Sequence, residues 1–157
     1  MAVAELDQAL LNREAGEHVH AYARAVVAGE IVAGEFVRLA CERHLRDLST
    51  GAARGLRFDA EEAGWAILFF PTVLRHYKGE WGPRGNAAGQ PIVLAPWEEF
   101  IVGSLFGWHR RNPTVAHARE WILRFTKAYV EVGKKNGKDL IASGIGIIRT
   151  FFRGEPA

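Results

Sequence analysis

Between residues 35 and 48 the positions Val37, Cys41, His44, Leu45 and Leu48 recur at spacings of three and four, with Arg38, Glu42, Arg43, Arg46 and Asp47 between them. This period predicts an amphipathic helix. An earlier helix is expected over residues 18–28, carrying Tyr22, Ala25 and Val26, and Gly29 and Gly34 let the chain turn before the next. Residues 49–55 read as loop. Asp59 suits a helix N-cap with Glu61 and Glu62 in the first turn, and the apolar residues that follow make a buried helix that Pro71 should bend or break.

Residues 79–90 hold Gly79, Gly82, Pro83, Gly85, Asn86 and Gly89, the densest turn chemistry in the chain. They divide the sequence into a helical N-terminal region (1–78), a turn-rich linker (79–90) and a third part (91–157). Ile92, Val93 and Leu94 form a short extended run. Pro96 fits the first turn of a helix reaching about His109, with Phe100, Ile101, Leu105 and Trp108 on one side. Over residues 127–132, Ala128, Val130 and Val132 alternate with Lys127, Tyr129 and Glu131, the period of a strand. A short polar loop and a mostly apolar helical run to Phe152 follow. The fold class predicted is α/β, helix-rich first, then the first strand, loop and helix of a sheet that is incomplete.

Composition narrows the function classes. The chain has 157 residues, 48% hydrophobic and 24% charged, enough for one domain with its own core. Twenty Lys and Arg against 18 Asp and Glu leave a net charge of +2, too small to argue for nucleic acid or membrane from overall field. Cys41 is the single cysteine. It excludes an internal disulfide and a multi-thiolate metal site, and it points to a reducing cytoplasm. No stretch approaches the roughly 20 apolar residues of a membrane span, and residues 1–14 lack the pattern of an export signal.

The strongest chemical signal is Gly133-Lys134-Lys135-Asn136-Gly137-Lys138-Asp139, placed between the predicted strand and helix. A phosphate-binding loop needs that context, because backbone N–H groups and a helix N-terminus face the phosphates while a terminal lysine reaches their oxygens. Gly137 and Lys138 fit those roles. The strict pattern fails at Val132, where a first glycine belongs, and at Asp139, where a magnesium-binding hydroxyl belongs. A chance lysine-rich turn accounts for the same residues, since Lys, Asn and Gly are ordinary in loops.

Several separated motifs occur in order: residues 38–44 (RLACERH), 78–81 (KGEW), 93–98 (VLAPWE), 106–108 (FGW) and 129–138 (YVEVGKKNGK). Together, over about residues 18–150, they resemble the large terminase subunit of tailed bacteriophages, whose phosphate loop commonly lacks the first glycine. The resemblance implies an ATP-driven motor that packages double-stranded DNA into procapsids, working with a small terminase subunit and the portal in the host cytoplasm. It further implies ATP and magnesium as cofactors, and a fragment or truncated copy, since the acidic strand and nuclease carboxylates would lie beyond Ala157. Such a chain would be inactive alone. The alternative is a helical partner-binding remnant without nucleotide chemistry.

Carried over by resemblance, Lys138 contacts the β- and γ-phosphates, residues 134–137 cradle them, and Lys134 stands where an arginine often senses the γ-phosphate. Trp97 and Glu98 match a motif whose third residue is usually a glutamine that reads adenine; a carboxylate can only accept, so adenine reading is impaired. Trp97 is read equally as a core filler.

Other clusters have plain explanations. Cys41 and His44 are too few ligands for a metal, and His18 and His20 are read as a solvated pair. Asp59, Glu61 and Glu62 are read as a helix start rather than a metal cluster. His109, Arg110, Arg111, His117 and Arg119 form a cationic stretch that either touches DNA phosphates or sits in a solvated hairpin or inter-helix loop.

Overall fold

A computed structural model describes residues 2–77, 88–114, 120–134 and 136–152, with side chains from residue 7 onward. Helix α1 runs over Ala2–Ala28 and buries Ala15, Val19, Tyr22, Ala23 and Val26 along one stripe. Gly29, at φ 80°, closes it in the left-handed conformation, its N–H bonding Val26 O. Helix α2 occupies Glu35–Thr50. Its predicted stripe is only partly right: Cys41 and His44 are buried, but Val37 and Leu48 are 40% exposed, and Asp47 takes the inward place. A carboxylate goes inside here because guanidinium groups meet it there.

The expected loop at residues 49–55 is instead structured. Ser49 and Thr50 finish α2, their hydroxyls donating to Arg46 O, and a 3-10 turn over Gly51–Arg54 ends at Gly55. Strand β1 (Leu56–Phe58) then leads into α3 (Ala60–Val73), whose N-cap Asp59 accepts from the Glu62 N–H at 3.1 Å as the sequence suggested. Pro71 falls in the last turn of α3, which stops two residues later.

Helix α4 covers Pro96–Gly107, and Trp108–Arg111 is strand β2 rather than the end of that helix. The reason lies across the sheet. Trp108 pairs with Phe58 on β1, their rings 5.4 Å apart and edge-to-face, and Asp59 N–H bonds Gly107 O. Strand β3 (Trp121–Leu123) completes a three-stranded antiparallel sheet in the order β1-β2-β3, with Arg57 opposite His109 and Arg110 opposite Ile122. The cationic stretch therefore begins in a hairpin; His117 and Arg119 lie outside the described residues.

Helices α1, α3 and α4 pack on one another. A β-carbon on Gly64 would overlap the Asn12 carbonyl and one on Gly16 the Ala60 carbonyl, so α1 and α3 touch backbone to backbone. Val19, Phe70, Val102 and Phe106 fill the centre. Elements on both sides of residues 79–90 thus share one core. Most of that turn-rich segment lies outside the described residues. Ile92 and Leu94 are buried in extended backbone held to the end of α3 by Ile92 N–H to Leu74 O, though no ladder strand forms.

The helical run after the loop is α5 (Lys138–Ile147), followed by a π-turn over Ile148–Phe152. Gly144 of α5 sits against the Phe70 ring, where a β-carbon would not fit. Residues 127–132, predicted as a strand, are extended but paired with nothing among the described residues. Alternation gives the right backbone shape, yet a strand needs a neighbour for its hydrogen bonds. The fold is helix-rich α/β with a small sheet, and that sheet is antiparallel and does not include the extended segment before the loop.

Candidate functional site at the start of the last helix

Gly137, at φ 71°, is the N-cap of α5, and Lys138 is the first helical residue. The Gly137 carbonyl accepts from Leu140 N–H at 3.0 Å and Ile141 N–H at 3.1 Å. The N–H groups of Lys138 and Asp139, among the first of the helix, have no acceptor among the described residues. A helix start with unspent N–H groups and a positive dipole end favours an anion.

Two side chains shape the loop. The Asn136 amide folds back so that a β-carbon on Gly133 would stand 3.1 Å from its Nδ2, and the Glu98 carboxylate overhangs Gly137, where a β-carbon would stand 3.1 Å from Oε1. Gly137 is therefore required twice, by its left-handed backbone and by the carboxylate above it. Gly133, Lys134, Asn136, Gly137, Lys138 and Asp139 are all exposed; Lys135 lies outside the described residues.

Glu98 is brought to the loop, but its other oxygen is already used. Oε2 accepts from Ala95 N–H at 2.7 Å, the reach-back half of a capping box at the start of α4. Trp97 is half-buried and packs against the core. The structure thus brings Glu98 to the loop and packs Trp97 against the core.

Phosphates fit the residues present at Lys138 and at the α5 N-terminus. For magnesium the loop offers the Asp139 carboxylate, which adds negative charge where a hydroxyl would add none. Among the described residues no group of three or more His, Cys, Asp or Glu could hold a metal, and no helix is long and apolar enough to cross a membrane. A groove of about 560 Å³ adjoins the site. Ile101 and Leu105 of α4, Ala128 and Val130 of the extended segment, and Ile141 and Ile145 of α5 line it, together with Lys138 and Asp139.

Away from the loop lies a buried polar chain that the sequence did not disclose. Trp108 Nε1–H donates to His44 Nδ1 at 2.9 Å, and His44 Nε2 meets His20 Nδ1 at 2.7 Å. Since the indole can only donate, neutral His44 carries its proton on Nε2 and gives it to His20. Burial, then the neighbouring His20 and Arg43, push the His44 pKa down to about 3. Burial likewise lowers His20. The reading of His18 and His20 as a solvated pair fails for His20, which is buried, while His18 is exposed and meets Glu99 at 3.0 Å.

Asp47 lies beside this chain. Its side chain has no exposure; Arg54 hydrogen-bonds Oδ1, and Arg124 Nη1 stands 2.7 Å from Oδ2 as a charge contact without hydrogen-bond alignment. Burial alone would raise its pKa, but these two guanidiniums outweigh it and hold the carboxyl below its ordinary value. Burial, with Glu42 nearby, pushes the Cys41 thiol up to about 11, which leaves it unreactive. The signal for the chain was His44 and Asp47 three apart on α2, whose buried residues are Cys41, His44 and Asp47.

Residues 96–157 match the family model described as terminase large subunit, ATPase domain. No curated protein and no solved structure matches the chain. The match takes in α4 with Glu98, the β2–β3 hairpin, the loop and α5, and over that segment the chain is similar to the ATPase domain of terminase large subunits.

Proposed function

We propose that the chain is the nucleotide-binding part of a DNA-packaging ATPase, in which residues 133–139 receive the phosphates of ATP. The family match over residues 96–157 carries this reading, because it spans a place where an exposed helix start, a left-handed glycine and a lysine coincide. Lys138 is assigned to the β- and γ-phosphates, Lys134 to the γ-phosphate, and residues 134–137 to the backbone cradle. Magnesium, when bound, would neutralise phosphate charge; Asp139 is the residue here that would face it. Double-stranded DNA, a small terminase subunit and the portal are the partners this reading brings.

Glu98 has a different task from base recognition. With Oε2 on Ala95 N–H and Oε1 over Gly137, it ties the start of α4 to the loop. Its charge also disfavours a phosphate nearby. A fluorescent adenine nucleotide titrated into the chain with magnesium tests the assignment: binding is expected to be weak and to be lost in Lys138→Ala. Equal binding by wild type and Lys138→Ala would remove the loop from nucleotide recognition. The second reading, a partner-binding module without nucleotide chemistry, draws on the Glu98 carboxylate over Gly137, which disfavours a phosphate there; it predicts no binding by either protein.

A further inference from the structure

Four arginines gather about one buried carboxylate at the end of α2. Arg54 hydrogen-bonds Asp47 Oδ1, Arg46 Nε stands 3.5 Å from the same oxygen, and Arg124 Nη1 stands 2.7 Å from Oδ2. Arg43 lies one turn before Asp47 on α2, and its guanidinium shares the Phe125 ring with that of Arg124, at 5.0 and 4.9 Å from the ring centre. Among the described residues no other carboxylate comes within ion-pair reach of these arginines. Four positive charges thus share one negative charge, which leaves three in excess. The excess faces outward, because the Asp47 side chain has no exposure while Arg46 and Arg54 keep 63% and 50% of theirs.

A guanidinium presents parallel N–H donors in a fork that matches a phosphate. Asp47 and the rings of Phe125 and Trp108 hold these forks in place, so little side-chain freedom is lost when an anion arrives. The forks come from α2, the 3-10 turn and the residue after β3, which suits a row of phosphates better than one small ion. Charge density decides between polyanions. An acidic protein face scatters its carboxylates, whereas duplex DNA carries one negative charge per roughly 1.7 Å of axis, enough to meet every excess cation here. We propose that Arg43, Arg46, Arg54 and Arg124 form a site for the phosphate backbone of duplex DNA. The proposal deepens the function above by naming a surface that meets the DNA; it rests on that reading for the choice of polyanion and uses none of residues 133–139.

Fluorescence anisotropy of a short labelled duplex, titrated with the protein at several salt concentrations and without nucleotide, reads the site. Arg43→Ala and Arg46→Ala leave Arg54 and Arg124 on Asp47, so the fold is kept. Each is expected to weaken binding about tenfold and to lower the salt slope by about 1, alike for two unrelated duplex sequences. Arg46→Lys keeps the charge without the fork and should fall between wild type and Arg46→Ala. Arg13→Ala, which removes an exposed arginine from α1, should bind as wild type does. Three outcomes would overturn the proposal: no duplex binding by wild type, a loss in Arg13→Ala equal to that in Arg46→Ala, or competition by inorganic phosphate or polyglutamate as strong as by unlabelled duplex at the same ionic strength. With no nucleotide present, none of these outcomes bears on residues 133–139.

Discussion

Where α1 and α3 cross, Gly16 and Gly64 leave no room for a β-carbon, while from residue 127 to 139 every described residue except Val132 is exposed. The helical core closes its backbone within α1, α3 and α4 and buries Phe70 and Phe106 between them. The second region holds the family-matched loop and leaves its backbone groups open. The buried core and the proposed nucleotide chemistry thus fall on different stretches of chain. A helix satisfies its own hydrogen bonds, but an extended run and a helix start remain available to something outside them.

The widest gap between the regions should appear on truncation of one aromatic in each. Phe70→Ala removes a fully buried ring that contacts Gly144 and is expected to cost about 3 to 5 kcal/mol in urea unfolding. Tyr129→Ala should change stability by no more than about 0.5 kcal/mol. Comparable losses in the two variants would break the contrast.

Acid should act next, and on the buried region alone. His44 keeps its neutral form when folded, with a pKa of about 3, whereas an unfolded histidine titrates near 6.5. Below that unfolded value the unfolded chain takes a proton that the folded chain refuses. The contribution is therefore whole above about pH 6.5 and is lost as pH falls toward 3, at about 1.4 kcal/mol per pH unit for this one group. Thermal unfolding at pH 7 and pH 5 should show a drop of about 2 kcal/mol, much reduced in His44→Gln. A flat profile between those values would mean that the Trp108–His44–His20 chain opens freely.

The smallest effect belongs to Asp139. As an acidic residue in the first turn of α5 it favours the empty helix by about 0.3 to 1 kcal/mol, so Asp139→Thr should lower stability by that amount. The same substitution removes a negative charge beside the proposed phosphates. Calorimetry should find ATP bound more tightly by Asp139→Thr, with less dependence on magnesium. Wild type binding as tightly as the variant, with and without magnesium, would show that Asp139 is a competent metal ligand.

What the sequence could disclose follows the same division. The Asp59 cap, the α2 helix and the α4 start were legible because periodicity and capping are local. Strand β2 was not, because Trp108 leaves the helix to meet Phe58, fifty residues earlier. Residues 127–132 carried the strand period but no partner to make a ladder. Among the site residues, Gly137 and Lys138 stand where the pattern put them, at the start of α5. Glu98 was expected to impair base reading, and only the structure showed it bonded to Ala95 N–H and bent over Gly137. The buried links of His20, His44 and Asp47 were not legible because their partners come from α1, β2, the turn after α2 and the residue that follows β3.

Amide hydrogen exchange with and without magnesium and ATP tests the central claim most directly, since it reads the backbone groups that the loop is proposed to use. In the empty protein the amides of α1, α3 and α4 should exchange slowly and those of residues 127–139 fast. With nucleotide, protection is expected to rise at residues 136–139, at the N–H groups of Lys138 and Asp139 above all, and to vanish in Lys138→Ala. Unchanged exchange across residues 133–139 at saturating nucleotide, or protection that survives Lys138→Ala, would contradict the account.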